Sequence, residues 1–245
     1  MAENIQSCFE RYEKKYRITR SQQAQIIKGM QEHMKADKFG RYTICNIYYD
    51  TDDWRLVRAS IEKPIYKEKL RVRSYGVPAE DGKVFVELKK KYDGVVYKRR
   101  ITTAPETAAA FIEGAADGAK FGQIGREIEW FCSFYDVRPK VFIGYDRLAF
   151  AGIEQPELRM TFDTGLRFRT EELDLRLGDH GAPLLPPDEV LMEIKIPGVC
   201  PMWLSGLLSD VGAFPTSFSK IGHCYKNSIL KSGNAIEKKE EYGCA

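Results

Sequence analysis

The segment from Tyr66 to Tyr75 reads YKEKLRVRSY, which places Lys67, Lys69, Arg71 and Arg73 at every second position. Successive side chains of a β-strand point to opposite faces, so this period throws all four cations onto one face and gives the other to Leu70 and Val72. VFVELKKK repeats the pattern, with Val84, Val86 and Leu88 on one side and Phe85, Glu87, Lys89 and Lys91 on the other. In ELRMTFDT, Leu158, Met160 and Phe162 alternate with Glu157, Arg159, Thr161 and Asp163. In VLMEIKI, Met192, Ile194 and Ile196 alternate with Leu191, Glu193 and Lys195. Lys98 and Arg100 share a face in VVYKRR, Arg147 lies in GYDRLAF, and Arg11, Glu13, Lys15 and Arg17 share a face in FERYEKKYRI. A single charged strand face is ordinarily just solvated. Its recurrence through the chain, always opposite an apolar face, asks for a common explanation.

The alternation predicts strands near 9–18, 42–50, 65–74, 83–91, 95–102, 140–149, 157–164 and 189–196. Asp93-Gly94 forms a short hairpin connection, which makes its flanking strands antiparallel neighbours. Thr19 or Ser21 caps a helix running through Met34, with Ile26, Ile27 and Met30 at helical spacing. Pro105 suits the first turn of a helix toward Gly114. Gln123 to Tyr135 reads as a third helix with Ile124, Ile128, Phe131 and Phe134 as its buried stripe, and Pro201–Val211 and Ser217–Leu230 read as two more. The stretch from Glu171 to Asp188, with Pro183, Pro186 and Pro187, is a loop with a short irregular piece. The expected class is α+β, with the helices lying on the apolar strand faces.

At 245 residues and 43% hydrophobic content, the chain can bury a substantial core. One domain over 1–230 is expected, followed by a polar tail at 231–245 that is expected to be disordered. Lys and Arg number 38 against 35 Asp and Glu, a net charge of +3, so this is no uniformly basic nucleic-acid coat. The cations are concentrated by position. The six cysteines, Cys8, Cys45, Cys132, Cys200, Cys224 and Cys244, show neither a CxxC pair nor metal-ligand spacing, and no signal peptide precedes them, so a reduced cytoplasmic setting is expected. No apolar run approaches the ~20 residues needed to span a bilayer. The chain is therefore expected to be soluble, with a membrane partner left open.

If helices cover the apolar faces, an open sheet would present a broad cationic surface, whereas a closed barrel would turn the same residues into the lining of a pore. A pore lined by Lys and Arg must hold anions, because unpaired buried charge is costly and like charges repel. Phosphate suits it: Arg offers a planar fork matched to phosphate oxygens and Lys a point charge. The interspersed carboxylates Glu13, Glu87 and Glu193 can pair with neighbouring cations or hold a divalent metal that bridges phosphate oxygens. Pairing is expected of Glu87, metal binding of Glu193 and Glu13. His33, His180 and His223 show no ligand spacing and are read as structural or surface residues, and Tyr48, Tyr49, Trp54, Trp130 and Trp203 as packing residues. Glycine-rich phosphate loops are absent from the sequence.

Several motifs in order, KKYRI at 14–18, IYYDT at 47–51, KLRVRSYG at 69–76, VELKK at 86–90, YDRLAF at 145–150, RMTFDTGLRFR at 159–169, MEIKIPG at 192–198 and SFSKIGHCY at 217–225, resemble the polyphosphate polymerase domain of the vacuolar transporter chaperone type, within the triphosphate tunnel metalloenzyme superfamily. The resemblance spans roughly residues 8 to 229. It implies an antiparallel eight-stranded β-barrel forming a basic tunnel, with helices packed outside and a C-terminal helix. It also implies that Lys15, Arg71, Arg73, Lys89, Lys98, Arg147 and Arg159 line the tunnel and grip phosphates, that Glu193 is the metal-binding carboxylate, and that Lys220 is a late tunnel lysine. Arg100 shares the face of Lys98, and with Lys69 and Lys195 it extends the candidate substrate-binding set.

The implied chemistry is transfer of the γ-phosphoryl group of ATP to a growing polyphosphate chain with Mn²⁺ or Mg²⁺ as cofactor, and ATP and inorganic polyphosphate as partners. Tunnel triphosphatases of the superfamily begin with a strand carrying Glu-x-Glu-x-Lys, where this chain has Arg11, Glu13 and Lys15. The missing carboxylate favours synthesis or binding over hydrolysis. A triphosphatase and a non-catalytic polyphosphate or inositol-phosphate binding module are the competing readings.

Overall fold

The structure, a computed structural model, describes residues 11–93 and 95–231. Cys8, Cys244, Gly94 of the expected hairpin and the tail from 232 lie outside the described residues. In chain order the elements are β1 (Arg11–Thr19), α1 (Arg20–Gly29), β2 (Met34–Asp50), α2 (Arg55–Ile61), β3 (Tyr66–Tyr75), β4 (Val84–Tyr92), β5 (Val95–Thr103), α3 (Pro105–Ile112), α4 (Gly122–Tyr135), β6 (Arg138–Gly152), β7 (Arg159–Arg169), β8 (Ala182–Pro183), β9 (Glu189–Pro197), α5 (Met202–Asp210), β10 (Pro215–Thr216) and α6 (Lys220–Cys224). Short 3₁₀ turns cover Gly118–Phe121 and Leu175–Leu177, and a π-helical turn, Tyr225–Ile229, continues α6. The class is α+β, with an antiparallel sheet and helices on its apolar faces.

Hydrogen-bonded neighbours follow the order β10-β1-β9-β7-β6-β2-β3-β4-β5, with β8 added to β7, giving among the described residues a sheet of ten strands rather than eight. Among the described residues no pairing joins β10 to β5, so the ladder does not close on itself as the barrel expectation required. The reason is visible at one end: β10 is only two residues long, and its Pro215 has no N–H to donate, so it ends an edge instead of propagating it.

The chain forms two compact units. Of the described residues, the first comprises 11–42, 146–165 and 185–218, and the second 43–93, 95–145, 166–184 and 219–231. Each has its own core. In the first, the apolar face of β1, β7 and β9, with Tyr16, Ile18, Met160, Phe162, Met192 and Ile194, packs on Ile26 of α1, on Met30 just after it and on Leu204 and Leu208 of α5. In the second, Leu70, Val72, Val84, Val86, Leu88 and Ile101 of β3, β4 and β5 pack on Phe111 and Ile112 of α3 and on Ile128 and Phe131 of α4. Full burial of each such side chain contributes about 1.5–3 kcal/mol. This burial fixes which face of each strand remains for charge.

Local chemistry explains the boundaries. Thr19, not Ser21, caps α1: its hydroxyl accepts from the Gln22 N–H at 3.1 Å, and the Gln22 side-chain oxygen accepts from the Thr19 N–H at 2.9 Å. The helix ends at Gly29 rather than Met34, and 34–41 extend β2. Pro105 occupies the first turn of α3 as expected. Helix α2 is not foreshadowed by apolar spacing. It is seeded from upstream, where the buried Asp50 carboxylate accepts the N–H groups of Leu56 at 2.8 Å and Val57 at 2.9 Å. The expected helix from Ser217 to Leu230 is shorter and changes to a π turn at Tyr225. Burial raises the thiols of Cys132 and Cys224 to about 12, which suits packing rather than nucleophilic chemistry.

Candidate anion-binding site

In the second unit the polar faces of β3, β4 and β5 stand in register. Lys69, Lys89 and Lys98 form one row across the three strands, Arg71, Glu87 and Arg100 the next, and Arg73, Phe85 and Thr102 a third. Directly opposed residues on an antiparallel sheet share a face, so seven of the expected positions here fall on one surface or border it. Glu87 is its hub. Only 1% exposed, it accepts from Arg71 Nε at 2.8 Å and Arg100 Nε at 2.7 Å, pairs with Lys98 at 2.7 Å, and lies 3.9 Å from Arg73. Burial alone would raise its carboxyl, yet Arg71, Arg73 and Lys98 outweigh burial and hold it far below the ordinary value. Burial in turn lowers the Lys98 ammonium, which Glu87 only partly offsets.

The arginines are held from the other side too. Arg71 donates to the Tyr48 hydroxyl at 3.2 Å, and Arg73, buried, donates to Asn46 Oδ1 at 2.9 Å and to the Tyr145 hydroxyl at 3.2 Å. Lys69 donates to Ser219 Oγ at 2.9 Å. Lys220, the first residue of α6, sets its ammonium 4.3 Å above the Tyr145 ring. The unit thus gathers Lys69, Arg71, Arg73, Lys89, Lys98, Arg100 and Lys220. Held by packed tyrosines and a buried carboxylate, the arginines have donor directions set before any ligand arrives.

The first unit carries the other expected residues, Arg147 on β6 and the rest on the polar face of β1, β9 and β7. Glu13, Lys195 and Arg159 form one row, and Lys15, Glu193 and Thr161 the next. Carboxylates and lysines thus alternate like a checkerboard: Lys15 pairs with Glu13 at 3.4 Å and Lys195 with Glu193 at 3.2 Å. Lys15 also donates to the Phe218 carbonyl at 3.1 Å. Arg147 engages the fully buried Asp163 through two bonds, of 2.6 and 2.8 Å. Its fork is thereby fixed in plane by a carboxylate that sequence reading left on a strand face without a role.

As a cation site this face is sparse. No group of three His, Cys, Asp or Glu able to hold a metal occurs among the described residues. Glu13 and Glu193 are diagonal neighbours, about 7–8 Å apart between Cα atoms. Thr161, opposite Glu193, has a buried hydroxyl with no hydrogen-bond partner. One or two carboxylates in an all-oxygen setting fit a hydrated Mg²⁺ or Mn²⁺ that takes its other ligands from substrate phosphates, and do not fit an all-protein cage.

The VTC domain family profile matches residues 10–229, nearly the whole described chain. The chain belongs to the VTC domain family. Among curated proteins it is 26% identical over 187 residues to the vacuolar transporter chaperone complex subunit 4 of Trypanosoma brucei brucei, a match covering 62% of this chain and 24% of that protein. The chain therefore spans about a quarter of that relative's length. Two solved structures share the fold. One is a candidate adenylyl cyclase from Hippeastrum described as having a dominant triphosphatase activity, with a TM-score of 0.51 at 16% identity, covering 90% of this chain and 95% of that one. The other is a candidate adenylate cyclase from Bacillus halodurans, with a TM-score of 0.50 at 15% identity, covering 89% and 95%.

Within this VTC domain, sequence reading found the cations and assigned Glu87 to pairing, which is what it does. It gave Tyr48 to packing alone, whereas the Tyr48 hydroxyl and ring both meet Arg71. Asn46, Tyr145 and Ser219 were missed. Each bonds across a sequence separation that only the strand register or the return of the C-terminal segment brings together. The histidines behave as structural residues: His33 stacks on Trp203 at 4.3 Å, His180 meets Glu172 and His223 meets Asn227. No helix among the described residues is long and apolar enough to cross a membrane.

Proposed function

We propose that this VTC domain, spanning 1–230, is a cytoplasmic, metal-dependent polyphosphate polymerase with ATP and polyphosphate as its partners. The observation that carries this reading is the in-register cation surface of β3, β4 and β5, held in place by buried Glu87. Lys69, Arg71, Arg73, Lys89, Lys98 and Arg100 are among the residues from which the family resemblance implies phosphate binding.

In the proposed reaction a terminal oxygen of the polyphosphate chain attacks the γ-phosphorus of ATP. The new P–O bond forms as the bond to the β–γ bridging oxygen breaks, and ADP leaves with that electron pair. The acceptor is already anionic, so no Ser, Cys or His nucleophile and no general base is required. Arg71, Arg73, Lys98 and Arg100 bind equatorial phosphate oxygens and offset the charge that spreads over the transferred group. Lys69, Lys89 and Lys220 hold the chain, and the family resemblance adds Lys15, Arg147, Arg159 and Lys195 as further phosphate-binding cations. Glu193, with Glu13 on the diagonal, would hold a Mn²⁺ or Mg²⁺, which when bound neutralises charge on the phosphate oxygens.

The test is to incubate pure protein with ATP and Mn²⁺ and resolve the products on a gel. A ladder of polyphosphate with stoichiometric ADP is expected. Orthophosphate release without chain growth would replace the reading by a triphosphatase, and tight polyphosphate binding without turnover by a binding module.

A further inference from the structure

A second concavity lies in the second unit, away from the cation surface. It is a cleft of about 390 Å³ lined by Trp54, Lys140, Phe168, Thr170, Ser228 and Ile229. Along β6, Lys140 shares the strand face of Phe142, which belongs to the apolar core, while Tyr145, the partner of Arg73, projects to the opposite face. The cleft and the candidate catalytic surface therefore open on different sides of that strand.

Three features set this cleft apart from an ordinary surface depression. Trp54 adopts a left-handed backbone at φ 62°, a costly conformation for a bulky side chain, at the start of α2. Its indole is held at an angle against Tyr225, with ring centroids 5.4 Å apart. The π turn Tyr225–Ile229, a rare geometry that concentrates at functional sites, places Ser228 and Ile229 at the cleft. The Lys140 ammonium lies 5.0 Å from the Trp54 ring and is steadied by the Asp52 carbonyl at 3.2 Å. Its carboxylate neighbour Asp52 is 3.8 Å away but 88% exposed, so the pairing is weak and screened.

We infer that this cleft is a ligand site for a flat aromatic ring carrying one anionic group, a nucleoside monophosphate being the simplest example. Trp54 and Phe168 supply the stacking walls, Lys140 the counter-charge, and the hydroxyls of Thr170 and Ser228 the polar contacts that orient the ring. The volume accommodates one nucleoside. The inference is independent of whether the cation surface polymerises phosphate.

The probe is adenosine 5′-monophosphate, titrated calorimetrically into the full chain, with adenosine and ribose 5-phosphate as controls. Three variants are compared. Arg71→Ala disables the cation surface, Thr170→Phe fills the cleft from an exposed position, and Lys140→Met removes the counter-charge. Binding should persist in Arg71→Ala, weaken about tenfold or more in Thr170→Phe and Lys140→Met, and shift the Trp54 indole resonance. Adenosine should bind more weakly and ribose 5-phosphate not measurably. The proposal is overturned by the absence of binding, by loss of binding in Arg71→Ala with none in Thr170→Phe, or by ribose 5-phosphate matching the nucleotide.

Discussion

Replacing Glu87 by Gln keeps the size of the side chain and deletes the one negative charge at the hub of the second unit. Removing one member of a buried charge pair costs about 3–5 kcal/mol, because the partner charges stay behind. Here Arg71 and Arg73 are 23% and 9% exposed, whereas Lys98 and Arg100, at 45% and 32%, regain much of their solvation from water. The low end, about 3 kcal/mol, is therefore expected, which for a domain of this size lowers Tm by about 6–12 °C. Thermal unfolding at low salt, with and without inorganic tripolyphosphate, reads both halves of the argument. The anion should raise the Tm of Glu87→Gln more than that of the wild type, since it restores the missing negative charge. The effect has a pH signature as well. Glu87 has its folded pKa depressed below the ordinary 4.5, so its stabilisation is complete above that pH and is lost as the pH falls through the depressed value. The stability gap between wild type and variant should be constant near neutrality and shrink on acidification. Equal Tm values for the two proteins at neutral pH, or equal stabilisation of both by tripolyphosphate, would refute the hub.

Other expectations can be checked in parallel. Glu193→Gln should weaken Mn²⁺ binding, read by electron paramagnetic resonance, and abolish metal-dependent turnover while polyphosphate binding persists. Unchanged Mn²⁺ affinity would mark Glu193 as the partner of Lys195 alone. Lys89→Ala, an exposed position, should abolish phosphoryl transfer with no change in Tm. Arg73→Ala is a poorer probe, because it strips Asn46 and Tyr145 of a buried donor and would confound folding with function. Asp50→Ala leaves two N–H groups of α2 without acceptors and should cost about 2 kcal/mol in urea unfolding. A loss below the error of the measurement would show that α2 does not depend on this cap.

The strand faces were legible because a period of two leaves no freedom: once Leu70, Val72, Val86 and Leu88 are buried, Arg71, Arg73, Glu87 and Lys89 must share the other side. The same rule made Glu87 recognisable as a paired carboxylate. What composition and spacing could not show was which residues come from other strands. Asn46 and Tyr145 reach Arg73 through register and tertiary folding, neither of which is written locally. Helix α2 escaped notice because its stabilising carboxylate, Asp50, sits in the preceding strand, several residues before the first turn. Closure of the sheet depended on the family resemblance, and the two-residue β10 shows how little edge is available at that end.

The row of Lys69, Lys89 and Lys98 has a consequence for the width of the cation surface. Neighbouring strands are about 4.8 Å apart, so the three side chains start from a line running across the strands rather than along them. The Lys98 ammonium leaves that line for Glu87, whose buried charge is also covered by Arg71 and Arg100. Two adjacent rows therefore merge into one field of net positive charge, wider than a single-file track.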